Sequence, residues 1–120
     1  MKFVLFIALG FSLLFSNCVV KNKNIVYNIE YDLKLDVYSP RKTDKPKPVL
    51  VFIHGGNWIH GKKSIYKFFG KGFAKKGIVT VIINYRLGPN ETYDNLTTNS
   101  AMAVKWVKQI RQLIIVLMPI

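Results

Sequence analysis

The chain has 120 residues, of which 50% are apolar and 13% aromatic, and its formal net charge is +12. This length allows one small domain with a marginal core, and the apolar fraction excludes an intrinsically disordered chain. The excess of cations would suit nucleic-acid binding, but the lysines at 63, 67, 71 and 75 recur every four residues, which indicates one solvated helix face. We therefore expect no specific nucleic-acid partner, whereas weak attraction to anionic membrane surfaces fits the charge.

The first 18 residues are expected to form an export signal. Lys2 precedes an apolar run at residues 3–15, which is too short to span a bilayer comfortably and is typical of a secretory signal. Cys18, the only cysteine, follows the sequence LFSN, an arrangement that resembles a bacterial lipoprotein processing site; the alternative is a free thiol near an ordinary cleavage site. Cys18 is thus a candidate for lipidation. The domain at residues 19–120 is expected to be exported, either as a membrane-anchored lipoprotein or as a secreted or periplasmic protein.

Three segments of the domain have the patterns of β-strands. Residues 27–37 alternate apolar and polar side chains, which predicts one long strand or two short ones, half-buried and antiparallel at the edge of a sheet. Residues 39–48, with three prolines and four cations, predict a loop. The unbroken apolar runs at residues 49–53 and 78–83 are typical of strands buried on both faces of a parallel sheet.

A helix is expected between these two apolar strands, which makes a strand–helix–strand unit. Ser64 can cap its start, the helix would run to about Lys76, and Gly77 supplies a left-handed stop. Its apolar stripe would consist of Ile65, Phe68, Phe69 and Phe73.

A second helix is expected from about Asn99 or Ser100, after a polar loop at residues 85–98. Its buried face would consist of Met102, Ala103, Trp106, Val107 and Ile110. Residues 113–118 could form a third central strand or an exposed apolar tail.

The segment His54-Gly55-Gly56-Asn57-Trp58 directly follows the first apolar strand. Glycines at such a place let backbone N–H groups approach a ligand closely, and donors aimed together can stabilise an oxyanion. The alternative is an ordinary turn between a strand and a loop, for which two glycines would suffice.

Four segments occur in one order at close spacing: LDVYSP, VLVFIHGGNWIHGKKS, GIVTVIINYRLGP and AMAVKWV. Together they resemble the carboxylesterase and hormone-sensitive-lipase-like branch of the α/β-hydrolases, including feruloyl- and acetylxylan-esterase-like enzymes, over residues 27–108. The resemblance implies an α/β fold, a partial α/β-hydrolase with a mixed, mostly parallel sheet and flanking helices. It also implies hydrolysis of carboxylic esters in the full-length family.

The resemblance also implies roles for individual residues. Gly55, Gly56 and Asn57 match the oxyanion-hole loop, whose backbone N–H groups would face the carbonyl oxygen of a bound ester. His54 matches the histidine that opens this loop and helps to hold it, and is not the catalytic base. The remaining matches are Trp58 and Gly61, at packing positions of the loop, and Tyr85 and Arg86, a dipeptide that braces the fold. Asn99 stands where the family commonly has an aspartate.

No catalytic residue can be assigned. The family's nucleophile lies in the motif G-x-S-x-G, which this sequence lacks, and no acid or histidine follows residue 94. The match ends near Gln109, so we expect a hydrolase domain truncated before the nucleophile elbow and inactive alone, unless a separate chain completes it. The alternative from another class is a lipid-anchored basic module, without catalysis, that binds anionic surfaces.

We expect neither a metal site nor a cofactor. His54 and His60 form the only histidine pair, and no third ligand lies at a spacing that fits zinc. The partner implied by the family is a small ester substrate, if the site is completed, and Cys18 would add a membrane anchor.

Overall fold

A computed structural model of the protein describes residues 19–41 and 45–117, with side-chain surroundings up to residue 110. The expected signal segment and Cys18 lie outside the described residues. The elements in chain order are four strands, β1 (Val19–Asn28), β2 (Leu33–Pro40), β3 (Val49–Ile53) and β4 (Val79–Ile83), a 3₁₀ helix at Lys63–Tyr66, and two α-helices, α1 (Lys67–Lys75) and α2 (Tyr93–Leu117).

The four strands form one sheet in the order β1-β2-β4-β3. β1 pairs with β2 and β2 with β4 in antiparallel fashion, while β3 and β4 are parallel. The sheet is therefore mixed, as expected. Its described part is not mostly parallel, however, because two of its three pairings, β1–β2 and β2–β4, are antiparallel.

The alternating segment at residues 27–37 forms two strands. β1 ends at Asn28, a turn follows, and β2 begins at Leu33. The expectation of antiparallel pairing is confirmed. Of these two strands, however, only β1 lies at an edge of the described sheet. β2 is covered on both faces, since Leu35 and Asp36, which point to opposite faces, are 0% and 2% exposed.

The two apolar runs form β3 and β4 in parallel register, with Val51 opposite Val81. β4 is buried on both faces, as predicted. The same prediction is wrong for β3, whose residues are only half-buried and whose last residue, Ile53, is 45% exposed. In the described sheet β3 has a neighbouring strand on one side alone.

α1 packs on one face of the sheet through small residues. Gly70 and Ala74 are its buried positions, and they lie against a cluster formed by Tyr38, Ala74 and Ile82. The predicted apolar stripe is wrong for three of its four residues, since Ile65, Phe68 and Phe69 are 58%, 59% and 38% exposed, whereas Phe73 is partly buried. The reason is steric, because the Tyr38 ring approaches so closely at Gly70 that no larger side chain fits there.

The ends of this helical segment differ from the prediction at the start and agree at the stop. The 3₁₀ helix begins after Lys62, with no side-chain cap, so Ser64 lies inside the turn and does not cap it. Gly77 adopts a φ of 86° and the N–H of Ile78 donates to the Phe73 carbonyl at 3.0 Å. This closes the helix as expected of a left-handed glycine.

α2 covers the opposite face and begins earlier than predicted. It starts at Tyr93 because the Thr92 hydroxyl accepts the N–H of Asn95 at 3.3 Å, as an N-cap does. Ala103 is fully buried against Leu35, Val81 and Ile83, with Trp106 and Val107 packed beside them. The helix continues to Leu117, so residues 113–117 are helical and do not form a third strand.

Candidate active site: the loop after β3

The loop at residues 54–62 connects β3 to the 3₁₀ helix, and His54 anchors its first turn. The imidazole is 2% exposed and stacks on the Tyr85 ring, with the ring centroids 4.7 Å apart. The Tyr85 hydroxyl donates to the His54 carbonyl at 2.7 Å. Tyr85 therefore holds both the ring and the backbone of His54 in place.

The hydrogen bond of the His54 ring sets its tautomer. Nδ1 lies 2.9 Å from the Gly55 carbonyl oxygen, and since a carbonyl only accepts, Nδ1 carries the proton. Nε2 is buried and has no partner among the described residues. A buried imidazole packed in this way holds the loop, and it is not placed as a solvent-facing catalytic base.

Two glycines let the loop fold back on itself. A Cβ on Gly61 would lie 2.5 Å from His54 Nδ1, and one on Gly56 would lie 1.7 Å from the His60 carbonyl oxygen. Both glycines have positive φ, 128° at Gly61 and 137° at Gly56. Neither position accepts a side chain without displacement of the backbone. A Cβ on Gly55, by contrast, would meet nothing within 4 Å.

The central turn of the loop is held in an uncommon conformation. Asn57 and Trp58 have φ angles of 54° and 62°, in the left-handed region that non-glycine residues rarely adopt. The Gly56 carbonyl accepts the N–H groups of Ile59 at 3.2 Å and His60 at 3.0 Å, which closes the turn. Such backbone strain clusters at functional sites, where it presents groups in a fixed arrangement.

These hydrogen bonds leave the expected oxyanion donors free. Among the described residues, none accepts a hydrogen bond from the N–H of Gly55, Gly56 or Asn57. All three residues are exposed. The Gly56 carbonyl thus closes the turn through hydrogen bonds within the loop. The N–H groups of the exposed residues Gly55, Gly56 and Asn57 are available to a ligand.

Trp58 and the 3₁₀ helix fasten the two sides of the loop. The Trp58 carbonyl accepts the N–H of Gly88 at 3.1 Å, and its ring contacts Tyr93 edge to face at 5.9 Å. At the far end, Lys63 Nζ lies 2.7 Å from Asp36 Oδ1, in an ion pair whose side chains are 13% and 3% exposed.

The ion pair between Lys63 and Asp36 was not predicted from the sequence, whose lysine spacing placed Lys63 on a solvated helix face. Lys67 and Lys75 are exposed as expected, but Lys63 points inward. One signal was available in the sequence: Asp36 interrupts the otherwise apolar LDVY segment of β2, and a carboxylate on a covered strand requires a cationic partner.

Arg86 joins the β4–α2 loop to the start of α2. Its backbone N–H and Nε donate to Asn99 Oδ1 at 3.1 and 3.3 Å, and Nη2 donates to Asn95 Oδ1 at 2.9 Å. Its guanidinium lies 4.0 Å above the Tyr31 ring, in the β1–β2 turn. Arg86 therefore braces the layers, as the resemblance implies, and Asn99 supplies the acceptor oxygen that an aspartate would supply.

Two further features, a metal site and a membrane-spanning helix, concern the described part of the chain. No group of three or more His, Cys, Asp or Glu side chains comes close enough there to hold a metal ion. Within residues 19–41 and 45–117, no helix is long and apolar enough to cross a membrane.

A match to a protein-family model shows the family of this chain. The BD-FAE family model matches residues 35–112, which include most of β2, the loop after β3 and most of α2. The chain belongs to the BD-FAE family.

Relatives and solved structures agree that this BD-FAE chain is esterase-like. It is 32% identical to the isoprenylcysteine alpha-carbonyl methylesterase of Arabidopsis thaliana, over 85% of this chain and 23% of that protein. It is 38% identical to the para-nitrobenzyl esterase of Bacillus subtilis, over 64% of this chain and 18% of that protein. The chain spans about a quarter of the length of the first of these relatives.

The fold is shared with esterases of known structure. Esterase 2 of Thermogutta terrifontis matches with a TM-score of 0.66 and 28% identity, over 74% of this chain and 36% of that one. Esterase B of Lactobacillus rhamnosis matches with a TM-score of 0.68 over 76% of this chain and 30% of that one, at an identity of 21% that shows the fold alone. The α/β-hydrolase, carboxylesterase-like assignment made from the sequence is confirmed.

Proposed function

We propose that this BD-FAE chain supplies the oxyanion-hole portion of an exported carboxylic ester hydrolase and that it does not hydrolyse esters alone. The observation that carries the proposal is the loop after β3, in which a strained turn leaves the N–H groups of Gly55, Gly56 and Asn57 without acceptors among the described residues.

The chemistry of such donors defines the substrate class. Attack on an ester carbonyl converts its oxygen into an oxyanion, and preorganised N–H groups stabilise that charge by about 3–4 kcal/mol for each donor. The relatives are named as esterases of a methyl ester and of a nitrobenzyl ester, which supports carboxylic esters as the class.

We attribute the proposed lack of ester hydrolysis to the absence of the family's catalytic residues and not to the loop. A serine hydrolase needs a nucleophile, a base and an acid that orients the base, and without them only the residual catalysis of the oxyanion hole is left. The sequence has no G-x-S-x-G segment, and both of its histidines, His54 and His60, belong to the loop itself. Export is proposed from the apolar run at residues 3–15 and from Cys18.

A segment exchange tests the role of the loop. The region of the Bacillus subtilis para-nitrobenzyl esterase that matches this chain is replaced by the matching segment of this chain, and turnover of a short-chain nitrophenyl ester is measured. The exchanged enzyme is expected to be active. Gly56→Ala in it is expected to lower kcat by about 100- to 1,000-fold, because the new methyl group displaces the His60 carbonyl and with it the donors.

Gly55→Ala is the matched control, since its methyl group enters open space and leaves the backbone in place. We expect a much smaller loss of kcat for this variant. An exchanged enzyme whose kcat is unchanged by Gly56→Ala would show that the loop is only a turn.

A second function is favoured by a separate observation, the clustering of lysines on the α1 side of the sheet. In this second function the chain is a basic module that binds an anionic surface. Such binding is compatible with a role in ester hydrolysis.

A further inference from the structure

Four lysines lie on two elements that contact each other, Lys21 and Lys23 on β1 and Lys71 and Lys75 on α1. Lys21 lies directly opposite Tyr38 in the β1–β2 ladder, and opposed residues of antiparallel strands point to the same face. The Tyr38 ring contacts Gly70 of α1, so Lys21 points toward that helix. Lys71 and Lys75 each follow one of the two buried residues of α1, Gly70 and Ala74.

The side chains are close enough to repel one another. The pKa of Lys71 is lowered from its ordinary value, chiefly by Lys21, with smaller contributions from desolvation, Lys23 and Lys75. We call Lys21, Lys23, Lys71 and Lys75 the basic cluster. Packing of α1 on the hairpin forces these charges together, so their proximity is a property of the fold.

Among the described residues, no acid forms an ion pair with the basic cluster. The ion pairs found between described residues join Lys34 to Asp32, Lys63 to Asp36 and Arg86 to Glu91, and none includes a lysine of the cluster. Cations that are concentrated without counter-charges create a positive potential that attracts a polyanion.

An exposed aromatic side chain lies beside the cluster and indicates which polyanion. Phe68 is 59% exposed, one helical turn before Lys71, and its ring contacts the tilted Phe69 ring, with the centroids 4.3 Å apart. Lysines that reach phosphates next to an aromatic ring that enters the acyl boundary are the composition of a surface that lies on a bilayer. A soluble phosphate would use the lysines but not the ring.

We propose that the basic cluster, with Phe68, docks on the anionic surface of a lipid bilayer. Lys21 lies three residues after Cys18, so acylation of that cysteine would hold the cluster at the surface, and stable anchoring requires two such signals. The inference is independent of the esterase assignment.

Vesicle binding by the full chain carrying Cys18→Ser tests the proposal. Binding is compared between vesicles of phosphatidylcholine alone and vesicles that also contain phosphatidylglycerol, at low and high salt. The apolar segment at residues 3–15 contributes equally to every variant, so the anionic increment is the quantity of interest. We expect Lys21→Gln with Lys71→Gln to reduce that increment by about 30-fold, from about 1 kcal/mol for each lysine at a membrane surface.

Lys105→Gln with Lys108→Gln is the matched control, since it removes the same charge from exposed positions on α2. We expect it to leave most of the increment intact, and Lys21→Arg with Lys71→Arg to preserve binding. If the first pair disturbs folding by circular dichroism, Lys23→Gln with Lys75→Gln serves in its place.

Three results would overturn the proposal. These are equal binding to neutral and anionic vesicles, equal losses in the cluster and control variants, and cluster-dependent binding of inorganic phosphate or nucleic acid without binding of anionic vesicles. The last would assign the cluster to a soluble polyanion.

Discussion

Tyr85 is the residue on which the loop after β3 depends most directly. Its hydroxyl donates to the His54 carbonyl at 2.7 Å, and its ring stacks on the buried imidazole. Tyr85→Phe keeps the stack and removes only the donor, which leaves a buried carbonyl without a partner. We expect this variant to lower the free energy of unfolding by about 1–3 kcal/mol.

Urea unfolding of Tyr85→Phe beside Tyr93→Phe measures this effect. Tyr93 is 61% exposed, so its change to phenylalanine should alter stability by less than about 0.5 kcal/mol. Equal effects of the two substitutions would contradict the bracing role of Tyr85.

Residue motifs identified the loop from the sequence, but they did not reveal what each residue contacts. The HGG segment and the Tyr-Arg pair could be recognised because short motifs are local features of the sequence. The acceptor role of Asn99 toward Arg86 depends on how the start of α2 meets the β4–α2 loop. Such a contact is set by tertiary packing and leaves no periodic signal.

At the scale of elements, α1 depends on a close approach between its backbone and a tyrosine ring. Gly70 and Gly72 lie in the same helix, but a Cβ on Gly70 would meet the Tyr38 ring at 2.4 Å, whereas one on Gly72 would meet nothing within 4 Å. We expect Gly72→Ala to raise the free energy of unfolding by up to about 1 kcal/mol through helix propensity, and Gly70→Ala to lower it by about 1–3 kcal/mol through overpacking.

Thermal and urea unfolding of the two variants provide the comparison. Both substitutions carry the same propensity gain, so the difference between them isolates the contact with Tyr38. Two stabilised variants would mean that α1 does not pack on the sheet as described.

The ion pair between Lys63 and Asp36 links the end of the loop to β2. Asp36 also accepts the N–H of Asn24 at 2.9 Å, so its removal disturbs both the pair and the hairpin. Because both side chains are largely buried, we expect Asp36→Asn to lower the free energy of unfolding by about 3 kcal/mol. Lys63→Met in the Asp36→Asn background should cost less than it does alone.

A double-mutant cycle in urea measures the coupling between these two residues. A coupling of about 1 kcal/mol or more supports a working pair. Additive losses would show that the two charges act independently and that Lys63 belongs to the solvated face, as its spacing alone predicted.

Element boundaries show where sequence patterns lose their information. The apolar stripe predicted for α1 failed because the helix buries glycine and alanine, which a hydrophobic pattern does not count. The apolar pattern of β3 is typical of a strand buried on both faces, whereas its residues are only half-buried. In the described sheet this strand has one neighbouring strand. The strands and the stop at Gly77 were predictable because alternation, apolar runs and left-handed φ are local properties.

At the scale of the whole molecule, buried tyrosines set the response to alkaline pH. Burial raises the pKa of Tyr27, Tyr38 and Tyr85 above the ordinary value of 10.0. The unfolded chain therefore loses these protons first, so stability is fully present below about pH 10 and declines as the pH rises above it. The lowered pKa of Lys71 acts in the opposite sense, but solvent screens that exposed group.

Urea unfolding at a series of pH values, followed with tyrosinate absorbance, tests this account. Tyr27→Phe should make the decline above pH 10 shallower, since the pKa of Tyr27 is strongly raised. A decline of the same steepness in this variant would show that Tyr27 ionises freely in the folded chain.

We propose above that this BD-FAE chain carries an oxyanion loop but lacks the serine motif of the family. Hydrolysis of a short-chain nitrophenyl ester by the purified chain, beside its Gly56→Ala variant, tests it most directly. We expect both proteins to show the same background rate, because the sequence has no G-x-S-x-G segment to supply the nucleophile of the family. Turnover by the unsubstituted chain that Gly56→Ala abolishes would contradict the claim and would require a nucleophile from a residue or partner outside the family pattern.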